Sequence, residues 1–124
     1  MKKPSISEWT PVGTWMCSLS PVVLWLTFVT LALHIRLGLG HWPTPMADNY
    51  PTIAFRAHEN LLVALGFFSA YAAAPFWLVL LLFKRLRNSW RIRITQVAVY
   101  GLGWLLIFLA PRYDPTTFTA WFLD

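Results

Sequence analysis

Charge is what this chain has least of. Only 12% of its 124 residues are Asp, Glu, Lys or Arg, and five of those are acidic. Soluble domains carry about 25%, so the shortage argues for a bilayer as the solvent. The scarcity of carboxylates also removes a chemistry. No apolar stretch holds several of them, as a proton or ion relay across a membrane would require. A single cysteine, Cys17, excludes an intramolecular disulfide. It precedes the first long apolar run instead of following it, which argues against a lipoprotein acylation site. No Ser or Cys is spaced to meet a His base. There is no glycine-rich phosphate loop, and no internal repeat of the kind that builds secondary transporters.

What is abundant is apolar surface. Hydrophobic residues make up 57% of the chain, with eight Trp, nine Phe and four Tyr. Residues 61–83 contain no charge at all. A helix needs roughly 20 apolar residues to cross the hydrocarbon core. Directly afterwards come Lys84, Arg85, Arg87, Arg91 and Arg93. A short basic loop beside a span fixes topology and meets anionic lipid headgroups. The net charge of +5 therefore points to membrane lipid and not to nucleic acid.

Breaker residues divide the chain into three expected spans, at about 21–39, 58–83 and 93–110. Ser20 and Pro21 read as a helix start, a capping hydroxyl followed by a proline at the first helical position. Gly38, Gly40 and Pro43 read as its stop. Residues 40–57, with three prolines, read as a loop. Pro75 is expected to kink the second span. The Met1-Lys2-Lys3 start resembles a signal peptide but lacks a compact apolar core and cleavage site, so no cleaved signal is expected. In the tail, 112–124, Asp114 and Pro115 read as the start of a short amphipathic helix lying at the interface.

Three spans put the N-terminus and the 84–93 loop on one side. Those segments carry seven basic residues, against Arg36, Arg56 and Arg112 on the other. The expected fold is thus an all-α membrane protein with its N-terminus inside. The 40–57 loop and the C-terminal helix share the outer face of a bacterial inner membrane.

Ionisable residues near a span are the candidate functional groups. His34 could ligate a haem iron or a bacteriochlorophyll magnesium. Arg36, His58 and Glu59 form an expected outer polar cluster, with Glu59 suited to the positive end of the second helix and to pairing with Arg36 or Arg56. His41, Asp48, His58 and Glu59 could meet a metal only if they converged, and their irregular spacing argues against a metal site. Gly66, Ala70 and Ala74, with Ser69 and Ala73 alongside, form a small-residue stripe for helix packing, as do Gly101 and Gly103. Thr95, Gln96 and Tyr100 fall near the inner end of the third span, within reach of water.

The stretch His34-Ile35-Arg36-Leu37-Gly38-Leu39-Gly40-His41-Trp42-Pro43, together with the tail from Tyr113 through Asp124, resembles small bacterial three-span inner-membrane proteins with an R-L-x-L-G-x-W-P segment. That resemblance implies a fold and a location and no activity. Size and span count are also similar to the membrane-anchor subunits of succinate dehydrogenase and fumarate reductase, which place haem-binding His residues in mid-span. Here the second span has no His after His58. His34 with Trp42 downstream is similar to the pattern of the single-span light-harvesting polypeptides. The expected function is a non-enzymatic accessory or scaffolding subunit, with no catalytic residues and no cofactor, held among other integral membrane subunits. The alternative is a haem- or bacteriochlorophyll-associated subunit using His34.

Overall fold

A computed structural model describes residues 6–45, 53–82 and 90–123. Among these the chain is all-helical: α1 (Ile6–Leu39), α2 (Ile53–Phe67), a π-helical turn (Phe68–Ala73), α3 (Ala74–Leu82), α4 (Trp90–Leu109) and α5 (Phe118–Leu123). Three stretches, Val12–Leu39, Ile53–Val79 and Trp90–Leu109, are long and apolar enough to cross a membrane. The second rod is one span built from α2, the π-turn and α3. Both α2 and α4 pack mainly on α1, which is therefore the central helix.

Ser20 and Pro21 do not start α1; the helix begins well before them, at Ile6, and runs through them. The reason is local. Pro21 has no N–H to give the carbonyl four residues back, which is Cys17. Ser20 Oγ donates to that carbonyl instead, at 2.8 Å. The vacancy that should end the helix is filled by its own neighbour. The expected stop does hold. α1 ends at Leu39, Gly40 N–H donates to the Arg36 carbonyl at 2.8 Å, and Gly40 takes a φ of +78° that only glycine adopts freely.

The buried side of α1 follows a heptad spacing: Thr14, Cys17, Pro21, Leu24, Leu31 and Ile35 are buried, with Phe28 half-buried in the same series. α4 answers with Arg93, Gln96, Tyr100, Gly103 and Ile107 at alternating steps of three and four. Such a repeat is the seam of left-handed helix packing. Gln96 Nε2 donates to Thr14 Oγ1 at 3.1 Å across 82 positions. Gly103 meets Pro21 and Val22 with the same offset: a Cβ on Gly103 would lie 2.7 Å from Val22 N and 2.9 Å from Pro21 C. α1 and α4 are thus parallel, in register, and touch backbone to backbone at one point.

The second rod runs antiparallel to α1. Ser69 Oγ shares a hydrogen bond with Ser20 Oγ at 3.1 Å, and His58 meets Thr30 further along. The break expected from Pro75 falls one turn earlier, as the π-turn. A π-turn inserts an extra residue and loosens the carbonyl ladder. Tyr100 Oη donates to the Ser69 carbonyl at 2.9 Å, which holds the widened turn onto α4. The extra residue also changes the spacing: Ser69, Ala73 and Trp77, four apart, are all buried. Residues 53–57, expected in the loop, already belong to α2, and α4 starts at Trp90, inside the expected basic loop.

α4 has 20 residues and α1 has 34. With the parallel register, α4 ends level with Thr27, so α1 projects about twelve residues, roughly 18 Å, beyond it. The tail fills that space. Phe118 is buried against Phe28 with ring centroids 5.1 Å apart, and Phe122 meets Phe28 edge-on at 5.7 Å.

The two glycines of α4 should separate cleanly. Gly103→Ala is expected to destabilise the protein in detergent by about 1–3 kcal/mol, because the clash is with backbone. Gly101→Ala, with no atom within 4 Å of its added Cβ, should be neutral or stabilising by up to ~1 kcal/mol. Chemical or thermal unfolding of the two variants side by side checks this.

Candidate functional site

The side chains proposed from sequence gather at the Leu39 end of the bundle, but in a different grouping. His34 is half-buried and stacks on His58 of α2, centroids 5.8 Å apart with 29° between the rings. His58 Nε2 lies 3.3 Å from Thr30 Oγ1. Arg36 is exposed and sits over the Trp42 ring, 4.8 Å from its centroid. A cation over an indole face is attracted by the ring quadrupole. The expected cluster of Arg36, His58 and Glu59 therefore divides: His58 turns to His34, and Arg36 to Trp42. Glu59 is half-buried beside His58 in α2. His41 Nδ1 lies 2.9 Å from the Trp42 carbonyl oxygen. Asp48 lies outside the described residues. Among the described residues no three His, Cys, Asp or Glu side chains gather to hold a metal ion.

The expected packing residues also divide. Gly103 makes the backbone contact, and Gly66 faces Leu24 of α1 at ordinary contact distance. Ala70 is half-buried, whereas Ala74 and Gly101 are exposed. Of the basic residues, Lys84, Arg85 and Arg87 lie outside the described residues. Arg91 is exposed on the first turn of α4, but Arg93 is only 5% exposed. Arg93 thus departs from its expected place in a headgroup-facing loop: it begins the buried seam of α4. Gln96, expected near water, is 1% exposed. A missed signal pointed there, the steps of three and four from Arg93 through Gln96 and Tyr100 to Gly103.

The tail builds the most developed geometry at this end. Asp114 Oδ1 accepts from the Thr116 backbone N–H at 2.8 Å and from the Thr116 hydroxyl. Asp114 Oδ2 accepts from the Thr119 N–H at 2.6 Å. Asp114 thus caps α5, which begins at Phe118, three residues later than Pro115. Thr117 occupies the left-handed region, φ +60°, and its hydroxyl lies 3.2 Å from the Pro43 carbonyl oxygen. That contact ties the tail to the segment after α1. Partial burial pushes the Asp114 carboxyl up, but the hydrogen bonds from Thr116 and Thr119 outweigh it and hold its pKa below the usual carboxylate value.

Two hollows flank Phe28 beneath this cap. One, about 240 Å³, is lined by Trp25, Phe28, Trp42, Tyr113, Asp114 and Phe118 among others. The second, about 190 Å³, is almost wholly apolar and reaches Leu24, Leu62 and Ile107. They share Trp25, Phe28, Ala110 and Thr119. Together they form a cleft with an aromatic, singly acidic mouth and an apolar inner end.

Among the described residues the fold defines a class, an all-α protein with three helices long and apolar enough to cross a membrane, as in a multi-pass membrane protein. No protein-family model, curated protein or solved structure matches the chain.

The cap is pH-sensitive by construction. A carboxyl whose folded pKa is depressed contributes stability above its unfolded pKa, near 4, and loses it as pH falls through the folded value. Protection of the α5 amides, taken as the exchange rate relative to the intrinsic rate at each pH, should therefore fall below about pH 4. In Asp114→Asn the protection should be lower already at pH 7 and should not fall further across that range.

Proposed function

We propose that this protein is a non-enzymatic accessory or scaffolding subunit of a larger membrane assembly. The observation that carries this reading is the uneven use of α4. Its Gly103 notch is filled by α1, while Gly101 opens on the far face with nothing within 4 Å and Ala98 exposed one turn before it. Only 17% of the α4 span is buried, against 39% for α1. Small residues on a membrane helix let a second backbone approach closely. The open notch of α4 is the surface another integral membrane subunit would use. Seven basic residues against three support an orientation with the N-terminus inside and the cap and cleft outside; the bacterial inner membrane is what the resemblance to small three-span proteins implies.

A second reading keeps His34 as a haem or bacteriochlorophyll ligand. Its support is the pairing of His34 with His58: two imidazoles from two helices at one depth. A pigment bound there would have to part the stack, since the rings face each other.

Mild-detergent extraction from native membranes after cross-linking separates these readings. The protein should migrate well above 14.3 kDa, and Gly101→Leu should release it. Migration as a lone chain, unaffected by Gly101→Leu, would defeat the scaffolding reading. A Soret or bacteriochlorophyll band that disappears in His34→Ala would establish the second one, and a colourless preparation would end it.

A further inference from the structure

We propose that the cleft under α5 binds one zwitterionic phospholipid, with its ammonium group at the aromatic mouth and an acyl chain in the apolar hollow. The inference starts from chemistry. Aromatic faces combined with a carboxylate are the setting in which alkylammonium groups are recognised. The mouth presents Trp25, Trp42, Tyr113 and Phe118 with the Asp114 carboxylate. Asp114 already accepts three hydrogen bonds from Thr116 and Thr119, out of roughly four lone-pair sites. It is thus fixed in place and ionised, with its charge still uncompensated by any of those neutral donors. Its complement is a cation that needs charge more than hydrogen bonds.

The other half of a zwitterion finds a complement close by. The Arg36 guanidinium lies over Trp42, a residue that lines the mouth. A positive charge is therefore linked to the mouth through the Trp42 ring. A phosphate suits Arg36, and an ammonium suits Asp114 and the rings. An anionic headgroup would satisfy Arg36 but meet Asp114 as a like charge.

Depth agrees with this assignment. The α4 span ends at Leu109. The mouth runs along α1 from Trp25 to Leu33 and on to Trp42 beyond the span end, and its other wall is the segment after α4, so it opens toward the Leu39 end where headgroups lie. The inner hollow meets α1 one turn deeper, from Leu24 to Phe28, and adds Leu62 and Ile107 from the other two spans, apolar walls suited to an acyl chain. Ala110 is one of the four residues that border both hollows, at the junction through which one lipid would pass from head to chain.

Native mass spectrometry of the full chain, loaded from mixed micelles containing phosphatidylethanolamine, phosphatidylcholine or phosphatidylglycerol, tests this. One retained zwitterionic lipid is expected, preferred over phosphatidylglycerol by about fivefold or more. Ala110→Phe fills the passage without touching the Asp114 hydrogen bonds, and should remove the retained lipid while α5 keeps its exchange protection. Trp42→Leu should reduce the preference. Asp114→Asn should equalise the three lipids; if it frees α5, the Ala110 and Trp42 variants decide. Equal retention of phosphatidylglycerol by the unaltered chain, or an unchanged preference in Ala110→Phe, would overturn the proposal.

Discussion

The contact on which this structure depends is between backbones, where Gly103 of α4 lies against Pro21 and Val22 of α1. A side chain at 103 would push the two helices apart, and the hydrogen bond between Gln96 and Thr14, two turns away on the same register, would open with them. Pro21 itself is tolerated because Ser20 supplies the Cys17 carbonyl with a donor. Ser20 then reaches Ser69, and the carbonyl of Ser69 takes the Tyr100 hydroxyl. Three helices are joined by one chain of small and polar groups that begins at a missing N–H.

That arrangement inverts the familiar division of inside and outside. In lipid, apolar side chains gain nothing by turning inward, so close packing and hydrogen bonds decide which faces meet. α4 buries Arg93, Gln96 and Gly103 while leaving Leu102, Leu105 and Phe108 more than half exposed. The larger apolar core of the soluble kind reaches the Leu39 end, with Leu31, Ile35, Phe55 and Phe118, while a smaller cluster of Cys17, Ala73 and Trp77 lies toward the other end. At the Leu39 end α1 has outrun α4 and the tail closes over it.

How much of this could be read from sequence follows from the same physics. The three spans were legible because length and apolarity are what a bilayer demands, and Gly40 and Asp114 because turn and cap chemistry are local. The start of α1 was misread because Ser20-Pro21 is ambiguous in one dimension. The same pair caps a helix or repairs one, and only the Cys17 carbonyl decides. The π-turn left no compositional mark beyond Pro75. The buried faces were obscured because nearly every position in a span is apolar, so hydrophobic periodicity carries no contrast. The useful signal was the spacing of the exceptions, and Arg93 and Gln96 were such exceptions. At the cleft, Asp114 was legible as a cap. Its place among Trp25 and Trp42 was not, since those residues are far from it in the chain and meet it only through the projection of α1 past α4.

The constant offset between α1 and α4 also has a meaning in time. Thr14 and Gln96 are 82 positions apart, and ribosomes add roughly 5–20 residues per second. About 4–16 s therefore pass between synthesis of one partner and of the other. During that interval the first helix stands in its membrane with Thr14 and the Pro21 face uncovered. The step that completes this protein is the arrival of its third span beside its first, late and across the whole length of the chain.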